Sequence, residues 1–73
     1  MTEYIKIKSN GFTKRKTLVY RVEKTQEHSI LGKCYYGRRV RANNHLQGFG
    51  QQKLICYGSQ FKFSRYELVV END

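Results

Sequence analysis

The chain has 73 residues and a formal net charge of +8, from 14 Lys and Arg against 6 Asp and Glu. Its length predicts a single domain, residues 1–73, and a domain of this size buries only about 60% of its unfolded surface. No apolar run approaches the ~20 residues that cross a bilayer, and the first residues lack the apolar segment of a signal peptide. We therefore expect a cytoplasmic protein with no membrane partner.

The excess positive charge is concentrated in the first part of the chain. Residues 1–41 contain 11 Lys and Arg against 3 acids, whereas residues 42–73 contain 3 of each. Such an excess favours a polyanionic partner, which is either nucleic acid, an acidic protein or anionic lipid.

The first third of the chain carries strand patterns. EYIKIKS alternates, which puts its isoleucines on one face and Lys6 and Lys8 on the other. NGFTKRK, Asn10–Lys16, opens with an Asn-Gly dipeptide and predicts a turn followed by a basic loop. TLVYRVE is rich in β-branched and aromatic residues and predicts a second strand, followed by KTQEHS as a polar connection.

A third strand is predicted over ILGKCYY. Alternation puts Cys34 and Tyr36 on one face and Lys33 and Tyr35 on the other. The next segment, GRRVRA, either continues this strand or turns back as a short one.

The last third mixes strand signals with turns. NNHLQGFGQQ has no strand pattern and two glycines, which predicts a loop over Asn43–Gln52, with a short helix over Ala42–Gln47 as the alternative. After it we expect a strand KLICY, a turn at Gly58 and Ser59, a strand QFKF, a single helical turn over Ser64–Tyr66 and a last strand.

These patterns predict an all-β protein of five to six short strands. So small a sheet buries a face only if it curls or packs as two sheets, and closure also hides its edges. We therefore expect a small, strongly bent antiparallel barrel with a single helical turn near the C-terminus.

The order of the elements resembles that of SH3-like small barrels, the group that includes Tudor, KOW and SH3 modules. KLICYGSQFKFSRYELVV, Lys53–Val70, is similar to the end of such a barrel, and the segment Thr17–Gly37 is similar to its central hairpin. The resemblance implies the barrel fold and leaves the ligand open, because these modules differ in function. SH3 peptide sites use a tryptophan, which this chain lacks.

A shorter segment, QGFGQQKLICY, resembles the RNA-binding motif of RRM and cold-shock domains. Gly48, Phe49 and Gly50 match the motif, whereas Gln47 and Gln51 stand in place of a basic residue and an aromatic one. The resemblance implies that Phe49 stacks on a base.

Two groups of residues are candidates for phosphate contacts. Arginine offers a planar fork of donors that suits phosphate, and a tyrosine ring can stack on a base. Alternation puts Arg39 and Arg41 on one face and Arg38 on the other. The first group is Lys33, Tyr35, Tyr36, Arg38, Arg39 and Arg41, and the second is Lys14, Arg15 and Lys16, with Lys6 and Lys8 nearby.

The cysteines and histidines predict no metal site and no cofactor. Cys34 and Cys56 lie in apolar strand patterns and are interpreted as reduced, buried thiols, with a disulfide open only if their strands are neighbours. His28 and His45 lack metal-ligand spacing with them and are interpreted as surface histidines.

We therefore expect a non-enzymatic nucleic-acid-binding module. The predicted contacts are Lys14, Arg15, Lys16, Lys33, Tyr35, Arg38, Arg39, Arg41 and Phe49. The alternative is a small interaction module or inhibitor that binds an acidic surface of a larger protein or nucleoprotein complex.

Overall fold

The computed structural model describes residues 1–8, 17–41 and 43–72. Within these ranges the chain forms five β-strands and one short 3₁₀ helix. In chain order they are β1 (Thr2–Lys8), β2 (Thr17–His28), β3 (Gly32–Arg41), β4 (Asn44–Tyr57), the 3₁₀ helix (Gly58–Lys62) and β5 (Tyr66–Glu71).

The strands form one antiparallel sheet in the order β4-β3-β2-β1-β5. Because successive side chains of a strand point to opposite faces, the register divides the core into two clusters. One face carries the buried cluster Ile5, Tyr35 and Cys56, and we call it the Ile5 face. The other face carries the buried cluster Tyr4, Val19 and Val40, and we call it the Tyr4 face.

The sheet bends strongly around the Ile5 face. Ile55 on β4 and Leu68 on β5 both pack against the cluster that contains Ile5. His45 Nδ1 on β4 also lies 3.6 Å from a carboxylate oxygen of Glu71 on β5, whereas in a flat sheet four strand spacings of about 4.8 Å would hold these strands roughly 19 Å apart. The predicted all-β antiparallel fold is therefore confirmed, although β4 and β5 do not pair in the part of the chain that the structure describes and the sheet is not closed.

β2 is longer than its sequence pattern indicates, whereas β3 begins at Gly32, so Ile30 and Leu31, predicted to open this strand, lie in the turn before it. β2 continues to His28, so the polar connection predicted after Glu23 is wrong. The GRRVRA segment continues β3 as far as Arg41, which settles the choice between a continued strand and a reversal. A Cβ atom on Gly37 would overlap the carbonyl oxygen of Arg21, so only glycine permits this close pairing of β3 with β2.

The loop predicted over Asn43–Gln52 is wrong, because Asn44–Gln52 belongs to β4. β4 pairs with β3 but has residues without a partner in three places: 45–47, 50–52 and Ile55. Gly50 has a φ of 80°, a left-handed value that suits a bulge. These insertions break the period of two that identifies a strand, and residues 44–47 are not helical.

The helical turn lies at Gly58–Lys62 and not at Ser64–Tyr66, so the predicted strand QFKF is also wrong. Gln60 stabilises the turn, since its Oε1 accepts a hydrogen bond from the Tyr57 amide at 2.8 Å. Phe61 then packs edge-on against Tyr35, with ring centroids 5.2 Å apart. In the described ranges, no helix has the length and apolar character needed to cross a membrane.

Candidate functional site

Three arginines of β3 are divided between the two faces of the sheet. Arg39 lies opposite Tyr20 on β2, and Tyr20 lies opposite Ile5, so Arg39 and Arg41 belong to the Ile5 face. Arg38 belongs to the Tyr4 face. The interpretation that Arg39 and Arg41 share a face while Arg38 lies across from them is confirmed, so the three arginines do not form one patch.

The ring of Phe49 contacts both arginines of the Ile5 face. Phe49 on β4 pairs with Arg39 on β3. The Cζ atoms of Arg39 and Arg41 lie 5.5 and 5.9 Å from the centroid of the Phe49 ring. Each cation–π contact at such an exposed site stabilises by about 0.5–1 kcal/mol. The ring is thereby oriented, and Phe49 remains 44% exposed.

Lys53 extends this group along the strands. It lies opposite Gly37, on the same face as Arg39, and its Nζ atom lies 5.4 Å from the centroid of the Tyr20 ring. Arg39, Arg41, Phe49 and Lys53 together are called the Arg–Phe patch. Their order along β3 and β4 is Lys53, then Arg39 with Phe49, then Arg41.

An open groove lies inside the Arg–Phe patch. Its volume is about 510 Å³, and its lining residues are Arg39, Phe49 and the segment 50–53. The groove exists because β4 has three residues between Phe49 and Lys53, whereas β3 has only Arg38 between their partners Arg39 and Gly37. Those residues are Gly50 and two exposed glutamines, so amide groups line the space between the cations.

The positive charges of the Arg–Phe patch are not neutralised within the described part of the chain. No described carboxylate lies within ion-pair distance of Arg39, Arg41 or Lys53. These exposed cations therefore keep their full attraction for an anion in solution.

The arginines of the Tyr4 face are paired with a carboxylate. Glu23 accepts a hydrogen bond from Arg21 Nη2 at 3.3 Å, and its other carboxylate oxygen lies 3.3 Å from Arg38 Nε. Arg21 Nη1 also donates to the backbone carbonyl oxygen of Leu46 at 3.0 Å. Arg38, predicted as a phosphate contact, is thus paired with a carboxylate.

Tyr35 cannot act as the exposed stacking ring that the sequence predicted. It is only 6% exposed and forms part of the core of the Ile5 face, where Phe61 from the 3₁₀ helix covers it. Its neighbour Tyr36 is the more exposed of the two tyrosines. Alternation correctly separated the two rings but could not show which one the helix covers.

Lys33 lies on the Ile5 face but far from the Arg–Phe patch. Its Nζ atom is 5.2 Å from the centroid of the Tyr35 ring. Six residues of extended β3 separate it from Arg39, which is roughly 20 Å. The other predicted contacts, Lys14, Arg15 and Lys16, lie outside the described residues.

The two histidines have structural contacts. His28 Nδ1 accepts hydrogen bonds from the amides of Ile30 and Leu31 at 3.2 Å each and so holds the turn between β2 and β3. His45 is half-buried, with its ring centroid 4.8 Å from that of Tyr4. His45 Nδ1 lies 3.6 Å from a carboxylate oxygen of Glu71, which links β4 to β5.

The cysteines are two separate, buried thiols, as predicted. Cys56 pairs with Tyr35 and lies on the Ile5 face, whereas Cys34 lies on the Tyr4 face. Their strands are neighbours, but the thiols point to opposite sides of the sheet. Burial raises the pKa of the Cys56 thiol from its ordinary value of 9.0 to about 11.

The contribution of Lys53 to the patch is not visible in the sequence. Lys53 opens the predicted strand KLICY, and only the insertion at residues 50–52 brings it alongside Arg39 and Phe49.

The resemblance to SH3-like barrels stays a prediction. The chain matches no protein-family model, no curated protein and no solved structure.

Proposed function

We propose that this protein is a non-enzymatic nucleic-acid-binding module whose contact surface is the Arg–Phe patch. One observation carries the proposal: two guanidinium groups contact a partly exposed aromatic ring, an ammonium group lines the same groove, and none of these three cations has a described carboxylate partner. Arginine binds phosphate through charge-assisted hydrogen bonds, and an exposed aromatic ring can stack on a base.

The lining of the groove favours binding over catalysis. Its side chains are Arg, Phe, Gln and Lys. None of these is a proton acceptor at neutral pH of the kind that general acid–base catalysis uses. We therefore propose no enzymatic reaction, and we keep the cytoplasmic location as part of this proposal.

The salt dependence of binding tests the proposal. With Lys14, Arg15 and Lys16 added to the patch, about four to six phosphates would be neutralised, and log affinity should fall with log salt at a slope of roughly −3 to −5. The measurement is fluorescence anisotropy with random single- and double-stranded oligonucleotides. Absence of binding at low salt, or a slope near zero, would contradict the proposal.

A pair of variants locates the contact surface. Replacing Arg39 and Arg41 with Ala should weaken binding about tenfold or more and make the slope shallower by about 1.5, because two phosphate contacts are lost. Arg38→Ala is the matched control, since Arg38 is already paired with Glu23, and its affinity should stay within about twofold. If Arg38→Ala weakens binding as much as the double variant, the patch is wrongly placed.

A protein-interaction module is the second candidate. It is favoured by apolar side chains on β4, where Leu46 is 84% exposed and Leu54 is also exposed. An acidic surface of a protein would attract the same arginines. A pulldown from host lysate after nuclease treatment distinguishes the two, because retention of one stoichiometric protein by a chain that shifts no oligonucleotide favours the second.

A further inference from the structure

The Arg–Phe patch differs from a purely electrostatic surface because an aromatic ring lies at its centre. We infer that its groove takes one unpaired nucleobase, so that the ligand is single-stranded nucleic acid. This inference rests on the proposed function and specifies the form of nucleic acid that the same site binds.

The first argument is the state of the Phe49 ring. Two guanidinium groups contact the ring and fix its position, yet Phe49 remains 44% exposed. In a duplex, each base is stacked on its neighbours, so its faces are closed to a protein ring. Only an unpaired base offers a free face, and exposed aromatics in basic grooves serve single strands for this reason.

The second argument is the shape of the surface. Double-stranded DNA is usually read by an element that protrudes into the major groove, about 12 Å wide. The Arg–Phe patch instead contains an open concavity of about 510 Å³, which is in the size range of small-ligand pockets. A concave site of that volume accommodates a base turned out from its strand.

The third argument is the arrangement of charge around the concavity. Lys53 lies opposite Gly37 and Arg41 is four residues further along β3, so the cations extend over about 13 Å. Phe49 lies between these ends, beside Arg39. A flexible single strand can place phosphates at both ends of this row while its base reaches the ring.

The fourth argument is the chemistry of the groove lining. Gln51 and Gln52 are exposed, and each amide has both donors and an acceptor. The Watson–Crick edge of a base has the complementary groups and is free only when the base is unpaired.

Three fluorescent probes test the inference, and the duplex carries at least as many phosphates as each single strand, so that charge alone cannot explain weaker binding of the duplex. The probes are an oligodeoxythymidine of about 12 nucleotides, an abasic strand of the same length and a duplex, all at about 50 mM salt. The protein should bind the oligodeoxythymidine at least about fivefold more tightly than the abasic strand or the duplex, since one stacked base contributes a factor of about 5 to 150.

Variants of Phe49 assign this preference to the ring. Phe49→Ala should reduce oligodeoxythymidine affinity to the abasic level and leave abasic affinity unchanged. Phe63→Ala is the matched control, because Phe63 is 52% exposed and contacts a lysine but does not line the groove. It should retain the full preference. Circular dichroism spectra check that each variant is folded.

A gain-of-signal variant gives a readout that does not depend on loss of affinity. The chain has no tryptophan, so Phe49→Trp introduces a single indole at the groove. Its emission should be quenched by the oligodeoxythymidine and not by the abasic strand, because only a base can stack on the indole.

The outcomes separate this inference from the proposed function. If no probe binds, both are wrong. If all three probes bind equally, or the duplex binds most tightly, the proposed function stands and the inference is overturned. The inference is also overturned if Phe49→Ala and Phe63→Ala retain the same preference for the oligodeoxythymidine.

Discussion

The Tyr4 face carries Arg21 of β2 and Arg38 of β3, and the Ile5 face carries Arg39 and Arg41 of β3. The two pairs of arginines have opposite electrostatic environments. On the Tyr4 face, Glu23 lies at 3.3 Å from both Arg21 and Arg38. On the Ile5 face, Arg39 and Arg41 contact the Phe49 ring. Consecutive residues of one strand thus differ in role because of what lies beside them, and a single carboxylate decides which arginines remain available to a ligand.

The largest expected effect comes from disturbing the pairing that assigns each arginine to its face. Gly37→Ala would drive a methyl group into the Arg21 carbonyl oxygen, so β3 must move away from β2. We expect a loss of about 3 kcal/mol or more in the free energy of unfolding. Urea denaturation followed by circular dichroism measures it. Gly50→Ala serves as the comparison. It strains the backbone because the φ of Gly50 is 80°, but no heavy atom lies within 4 Å of the added Cβ atom, so it should lower the free energy of unfolding by less than Gly37→Ala does.

A pH titration tests the burial of the Ile5 face. The raised pKa of Cys56 means that the unfolded chain releases its thiol proton near pH 9, whereas the folded chain holds it until about pH 11. The Cys56 thiol therefore leaves the free energy of unfolding at its highest value below pH 9 and lowers it as the pH rises, by about 2–3 kcal/mol in total.

Cysteine variants isolate this contribution from that of other groups which titrate at high pH. Urea denaturation between pH 8 and 10 should give a flatter dependence for Cys56→Ala than for the unchanged protein. Cys34→Ala keeps Cys56 and should retain the steeper dependence. Equal slopes in all three would show that Cys56 is not the cause.

An arginine from each face allows a direct comparison of their roles in stability. Arg21→Ala removes hydrogen bonds to the Leu46 carbonyl and to Glu23 and should cost about 1–2 kcal/mol. Arg41→Ala removes an exposed contact and should stay within about 0.5 kcal/mol. Thermal and urea denaturation measure both. A greater loss for Arg41→Ala would reverse the assignment of structural and available arginines.

The smallest expected effect on oligonucleotide affinity is that of Glu23→Gln. This change releases Arg21 and Arg38 from their shared carboxylate and should lower the free energy of unfolding by less than about 1 kcal/mol, because the pairs are partly exposed. Affinity for an oligonucleotide should rise about two- to threefold from the added charge. A rise larger than the loss caused by the Arg39 and Arg41 double substitution would place the main contact surface on the Tyr4 face.

The first three strands could be predicted because their faces differ in polarity. The isoleucines of β1 alternate with Lys6 and Lys8, and a period of two assigns them to faces before any partner is known. The same rule separated Arg38 from Arg39. It depends only on the chain's own geometry, so it holds wherever β3 has no inserted residue.

The parts that sequence patterns missed depend on partners distant in the chain. Phe61 and Phe63 alternate as in a strand, but the bond between Gln60 and the Tyr57 amide forms a 3₁₀ turn there. That turn brings Phe61 over Tyr35, and Tyr35 is thereby buried. The groove beside Phe49 likewise requires residues 50–52 to leave the β3 register, and no local period reports such a mismatch.

The interrupted course of β4 has a consequence for the behaviour of this chain in concentrated solution. An exposed edge strand with a regular row of amide and carbonyl groups is a template on which another molecule can add a strand. β4 breaks that row at residues 45–47, at 50–52 and at Ile55, and the opposite edge, β5, has only six residues. Both edges are therefore poor templates for amyloid-like growth, even though a sheet makes up most of the molecule.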